Sequence, residues 1–176
     1  MKKRVFILTV ITLMSWAVFA AAEPVAPFLP YNDMGKQMLD AQGKTVADAL
    51  KYIPTKAEVG LPVYPGSYMG TSAESNGELS SVQLVSKDDP EKVIAWYKKN
   101  LGKEWKYVPD FATKQIGEMG VFVKTDSEKV DLIDSMGMQQ IRIAKIEKSE
   151  DTGFLTMAFD VTGVKSMINM QIKPFM

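Results

Sequence analysis

The chain contains no cysteine and no histidine. The first absence excludes disulfides and thiol nucleophiles, so burial alone must hold the fold together. The second removes the Ser-His-Asp triad and, with the first, the usual zinc site and His-ligated haem. Carboxylate, lysine or tyrosine chemistry remains, or none. No Gly-x-Ser-x-Gly elbow occurs, because Gly66-Ser67-Tyr68-Met69-Gly70 has a different spacing, and no serine has a lysine three residues on. An excess of charge is also missing. Lys and Arg total 21, as do Asp and Glu, and three of the basic residues lie within 1–22. The remainder therefore carries 18 basic against 21 acidic residues, a net charge of −3. That balance gives neither nucleic acid nor an anionic membrane surface a reason to bind.

The most informative segment present is the first. Lys2, Lys3 and Arg4 precede an apolar run from Val5 to Phe19, and Ala20-Ala21-Ala22 supplies small residues before Pro24. This is the pattern of a signal peptide, with a mature chain beginning at Glu23. An uncleaved anchor is the rival, since Val5 to Ala22 just reaches spanning length, but anchors seldom end in a small-residue cleavage site followed by proline. The protein is expected to be periplasmic or secreted. With no cysteine it is not a lipoprotein, and no second apolar run is long enough to span a bilayer.

Residues 23–43, with Pro24, Pro27, Pro30, Gly35 and Gly43, read as an extended leader with a helical turn around Met34 to Ala41. A single domain is expected over 44–176. Val46, Ala49, Leu50 and Ile53 predict a short helix ended by Pro54. Residues 71–78 read as a polar loop turning at Asn76-Gly77, between hairpin strands at 67–71 and 79–86. The clearest helix runs from Asp89 to Leu101, with Pro90 in its first turn, Val93, Tyr97 and Leu101 on one stripe, and Gly102 as a left-handed stop. Trp105 and Tyr107 alternate with polar residues as in a strand, Val121 to Lys124 form another, and Asp126 to Ser135 suit a helical turn carrying Val130 and Ile133. Gln140 to Glu147 pattern as a strand, Lys148 to Gly153 as a turn, and Ile168, Met170 and Ile172 mark a last strand. Leu155, Met157, Phe159 and Val161 alternate with polar or small residues, predicting a half-buried strand with Met157 in the core. The fold expected is α+β: an antiparallel sheet with the 89–101 helix packed on one face and a short N-terminal helix.

Leu61-Pro62-Val63-Tyr64-Pro65-Gly66, then Asp88-Asp89-Pro90-Glu91-Lys92-Val93, Trp96-Tyr97, Leu101 and Trp105, form a pattern that resembles small exported, largely uncharacterised bacterial proteins. These carry a Pro-x-Tyr-Pro-Gly segment followed by a helix ending in aromatic-Tyr-x-x-x-Leu and a Trp. The resemblance spans roughly residues 55–107 and departs at Glu104, where a glycine is usual. It implies an exported α+β module and carries no activity.

Candidate sites are few. Trp96, Trp105, Tyr107 and Phe111 form an aromatic group suited to lining a groove for a peptide or glycan, or to packing a core. Asp126, Glu128, Asp131 and Asp134, and again Glu147, Glu150 and Asp151, cluster acids, but lysines interleave them and no EF-hand spacing occurs. Methionine is in excess at 12 residues, and thioethers such as Met136 and Met138 suit Cu(I) as well as core gaps. The sequence points to a non-catalytic exported binding module acting on an envelope protein, peptide or glycan, with no cofactor and no metal. A carboxylate-based hydrolase of the envelope and a methionine-based Cu(I) carrier are the alternatives.

Overall fold

The computed structural model describes residues 23–51, 53–108, 118–148, 152–153 and 155–173. The signal segment at 1–22, Phe111 and residues 149–151 of the turn at 148–153 lie outside them. Six strands form one antiparallel sheet in the order β1-β2-β6-β5-β4-β3. They are β1 (Tyr68–Ser75), β2 (Glu78–Ser86), β3 (Trp105–Val108), β4 (Glu118–Lys124), β5 (Gln140–Lys145) and β6 (Ser166–Gln171). The helices are α1 (Asp33–Ala41), α2 (Val46–Leu50), α3 (Lys56–Val59), α4 (Pro90–Asn100), α5 (Leu132–Met136) and α6 (Leu155–Ala158). This is the α+β architecture the pattern of elements predicts.

Register aligns the side chains into rows that cross the sheet. Val82, Met170, Ile141, Phe122 and Tyr107 stand opposite one another across five successive strands. On the same face, Leu84, Ile168 and Ile143 form the neighbouring row. Helix α4 lies against β4, β5 and β6, and its Val93, Ile94 and Tyr97 join these residues in the main core cluster. Burying each such side chain stabilises the fold by about 1.5–3 kcal/mol. Pro90 opens α4 where its missing N–H costs nothing, while Lys98 and Lys99 sit in its last turn, toward the negative end of the dipole.

Two details of α4 differ from expectation. Leu101 lies just past the helix in extended conformation (φ −83°, ψ 149°) and is only half-buried. Gly102 is not among the glycines with positive φ, so no left-handed cap forms. An extended residue ends the helix instead and leads the chain directly toward β3.

The hairpin is longer than the polar composition of 71–78 suggests. Asn76 (φ 53°) and Gly77 (φ 75°) make a two-residue turn that lets β1 continue to Ser75. The expected loop from 71 to 75 is therefore strand.

Residues 23–31 are extended, as expected, yet they are built into the domain rather than leading up to it. Pro24 bridges to Thr55, Phe28 to Met69 and Tyr31 to Phe159, and Val25 and Leu29 are buried. Asn32 caps α1 by accepting from Gly35 N at 2.8 Å, and its Nδ2 donates to the carbonyls of Thr156 (3.0 Å) and Phe159 (3.2 Å). A Cβ on Gly35 would stand 2.0 Å from the Ala158 carbonyl oxygen, so only glycine lets α1 approach α6 this closely.

The predicted strand at 155–161 is instead the helical turn α6. Leu155 and Phe159 are buried, which period-two alternation and i, i+4 helical spacing both require. Met157 distinguishes the two, and it is 51% exposed. The helical period holds here because the turn packs its Leu155–Phe159 side on Leu29, Val85 and Val164. Likewise Ile133, expected to anchor the 126–135 turn, is 79% exposed on α5, while Val130 packs with Val121 and Val123.

Candidate functional site

The aromatic group expected as a binding surface divides in the structure. Trp96 is half-buried and edge-on to Tyr64 (centroids 5.6 Å apart) and Tyr97 (5.0 Å). Tyr107 packs on Phe122 at 5.0 Å, and the Lys98 ammonium stands 3.9 Å from the Tyr107 centroid. Trp105 is half-buried against the main core. Through Tyr97 and Phe122, 5.8 Å apart, the rings run continuously from Tyr64 to Tyr107 and tie α4 to the sheet. Trp96 and Tyr107 line separate depressions: one with Leu61, Pro62, Val63 and Asn100, the other beside Glu128, Asp131 and Asp134. In the second, the Asp131 carboxylate accepts from Asp134 N at 2.7 Å as the N-cap of α5, and Lys106 and Lys129 share the depression. Among the described residues, no group of three or more Asp or Glu is placed to hold a metal ion.

The other face of the sheet holds a more organised constellation. Thr71, Gln83, Asn169, Arg142, Val121 and Val108 form a row across all six strands. Two residues along the strands, Ser81, Gln171, Gln140, Val123 and Lys106 form the next. At one end Val85 is covered by α6 and residues 28–31, and at the other Val121 and Val123 are covered by Val130 and Met138. Between these covers, over β2, β6 and β5, lies a cleft of about 360 Å³. Gln83, Asn169, Arg142, Gln140 and Gln171 line it, with Thr71 and Met136 at its sides.

Its polar groups are held in place by one another. Arg142 Nε donates to Gln140 Oε1 at 3.0 Å, and Gln140 Nε2 donates to Gln171 Oε1 at 2.7 Å and to the Ser135 carbonyl at 3.1 Å. Gln171 Nε2 donates to the Met136 carbonyl at 3.2 Å. Two glutamine amides thereby donate to carbonyls at the C-terminal end of α5, Gln171 to Met136 and Gln140 to Ser135, whose carbonyl also accepts from Met138 N at 3.0 Å. Gln140 is 1% exposed and Ser135 fully buried, so the network anchors α5 to the sheet. Across the cleft, Gln83 Nε2 donates to Asn169 Oδ1 at 3.1 Å. Among the described residues, neither Asn169 Nδ2 nor Gln83 Oε1 has a hydrogen-bond partner. Among the described residues, the lining holds donors and acceptors for a polar ligand but no carboxylate, lysine or tyrosine for proton transfer.

Pattern reading on single strands does not find this site, although each strand carries a trace of it. Gln83, Arg142 and Asn169 each sit between two buried apolar neighbours, as Val82-Gln83-Leu84, Ile141-Arg142-Ile143 and Ile168-Asn169-Met170. Arg142 is also the only arginine beyond Arg4. What aligns the three residues is register, which depends on distant pairing. Compared with known protein families, curated proteins and solved structures, the chain matches none.

Proposed function

We propose that this protein is a non-catalytic exported module, periplasmic or secreted, that binds a polar ligand in the cleft over β2, β6 and β5. One observation carries the reading: a row of half-buried amide and guanidinium groups crosses the open middle of a sheet face whose two ends are covered. Side chains so placed lose part of their hydration and are fixed by mutual hydrogen bonds, a cost that a ligand able to complete those bonds offsets. The export pattern at 1–22 and the likeness to small exported bacterial proteins support the address.

The test is an NMR titration of labelled protein with fractionated envelope extract. Saturable shifts at Gln83, Arg142 and Asn169 that vanish in a Gln83→Ala, Asn169→Ala variant support the cleft. Shifts confined to Trp96, Trp105 and Tyr107 would move the site to the aromatic run. The hydrolase alternative draws on Tyr107 and the acids Glu128, Asp131 and Asp134 in one depression. Envelope-polymer cleavage lost in Glu128→Gln or Asp131→Asn would put it first. For the Cu(I) alternative, the exposure of Met34, Met38, Met136 and Met157 is the favouring observation. An anaerobic thermal melt raised by Cu(I) would support it, since a ligand specific for the folded state raises stability.

A further inference from the structure

We infer that the cleft holds an extended peptide segment by its backbone, with Gln83 and Asn169 as the two groups that read it; this rests on the reading of the cleft as the binding site. The two residues stand directly opposite each other on β2 and β6, both half-buried. Gln83 Nε2 donates to Asn169 Oδ1 at 3.1 Å and to Met167 Sδ at 3.0 Å, so both hydrogens of that amide are engaged. These bonds fix the pair in one orientation and leave it with two opposite poles. Among the described residues, Gln83 Oε1 has no donor and Asn169 Nδ2 has no acceptor. The pair therefore offers one acceptor and one donor, and neither carries a charge.

In an extended chain the N–H and C=O of one residue point to the same side, which is how a strand exchanges two hydrogen bonds with the residue opposite. A peptide residue laid over the pair can donate its N–H to Gln83 Oε1 and accept from Asn169 Nδ2 with its C=O, as a neighbouring strand would. Gly70 is buried beside the acceptor without a positive φ, so its conformation does not call for glycine. Its surroundings do: a Cβ there would stand 3.4 Å from Gln83 Oε1 and 3.3 Å from Leu155 Cδ1. A side chain at this position would crowd the acceptor. Met136, 54% exposed at the edge of the cleft, supplies an unbranched thioether that adapts to different neighbouring side chains. Backbone readout beside an adaptable wall suits peptides of varied sequence. The rest of the polar row is already committed. Gln140 bonds Arg142, Gln171 and Ser135, and Arg142 has a further partner, so these residues form the wall of the cleft.

The probes are the uncharged peptide acetyl-Ala-Leu-Ala-dimethylamide, the same peptide N-methylated at all three residues, and the neutral glycan N,N′-diacetylchitobiose. Each is titrated at millimolar concentrations into the labelled protein while the side-chain amides of Gln83 and Asn169 are followed by NMR. The parent peptide should shift both saturably, and the N-methylated analogue should bind at least about tenfold more weakly, a difference of about 1.4 kcal/mol. In Gln83→Ala the two peptides should bind alike, because the acceptor that tells them apart is gone. Asn169→Ala should weaken both and keep their order. The comparison of the two peptides in the unmodified protein requires no variant to fold. Equal binding of the two peptides there, or a preference that persists in Gln83→Ala, would overturn the proposal. Tighter binding of the chitobiose than of the peptide would overturn it in favour of a glycan. No shift from the peptide, beside saturable shifts at Gln83 and Asn169 from envelope extract, would overturn the peptide and keep the cleft as the site. Silence from both would overturn the two readings together.

Discussion

The two faces of this sheet are built from the same strands, one residue out of step, and they end in opposite states. On the α4 face, Val82, Met170, Ile141 and Phe122 are almost wholly buried. On the reverse face, the adjacent row of Gln83, Asn169 and Arg142 is half-buried and lines a cleft. The reverse face is not polar throughout: Val85, Val121 and Val123 are buried under its two end covers. Polarity follows coverage. Helix α4, with Val25, Val59 and Tyr64 packed beside it, makes the first face dry, while two short covers leave the middle of the second face wet. The first face stabilises the domain, and the second is free to hold groups that a dry core would penalise.

The contrast is sharpest in mutations one row apart. Tyr97→Ala removes the largest fully buried side chain of the core and should cost about 3–5 kcal/mol in urea melts. Asn169→Ala, in the cleft, should stay within about 0.5 kcal/mol. Similar costs for the two would break the comparison.

A middle case is Gln140, which belongs to the reverse face and is nevertheless buried. Gln140→Leu removes the hydrogen bonds to the Ser135 carbonyl, Gln171 Oε1 and Arg142 Nε and leaves Gln171 Oε1 without that donor, for about 1–3 kcal/mol. Hydrogen exchange should show α5 loosening before the sheet does. An unchanged α5 would mean that the glutamine network is not what holds it.

A smaller effect concerns pH. Tyr64 donates its hydroxyl to Asp88 at 2.7 Å, and burial, then that bond, pushes its pKa up to about 12. A pKa raised by folding stabilises the protein below the ordinary tyrosine value of about 10, and this contribution is lost as pH climbs toward the folded value. Tyr64→Phe should therefore flatten the alkaline fall in melting temperature between pH 10 and about 12. At the acid end, the hydrogen bonds from Lys92 and then Tyr64 hold Asp88 below the usual carboxylate range. Its contribution is present at neutral pH and lost as pH falls through that lowered value. An alkaline limb identical in Tyr64→Phe would remove this pair from the account of stability.

The least effect is expected on the rim of α4. Lys98 stands over the Tyr107 ring from an exposed position, and Lys98→Ala should cost no more than about 0.5–1 kcal/mol. A larger loss would show that the exposed side of α4 carries more than solubility.

Some of this could be read from the chain alone. The α4 stripe of Val93 and Tyr97, the Asn76-Gly77 turn, and the shared face of Ile141 and Ile143 are local patterns, and the structure carries each of them. The 155–161 segment misleads because Leu155 and Phe159 satisfy both strand and helix periods, and only packing against Leu29 and Val85 decides between them. Residues 23–31 resist reading for a related reason: prolines mark extended chain but do not say what it lies against. The cleft was the least legible part. Gln83, Arg142 and Asn169 lie on strands far apart in sequence, and each alone resembles an ordinary solvated strand position.

By itself, then, the sequence determined the absence of thiol and imidazole chemistry, the α4 stripe, the Asn76-Gly77 turn and the α+β class. Those properties depend on residue identity and on patterns a few residues long. Only the tertiary structure decided that β6 lies between β2 and β5, and with it that an amide, a second amide and the lone sheet arginine meet in one row. The reason is physical: a strand's alternation says which residues share a face, while its neighbours and register come from pairings far along the chain, selected by what the whole sheet can bury.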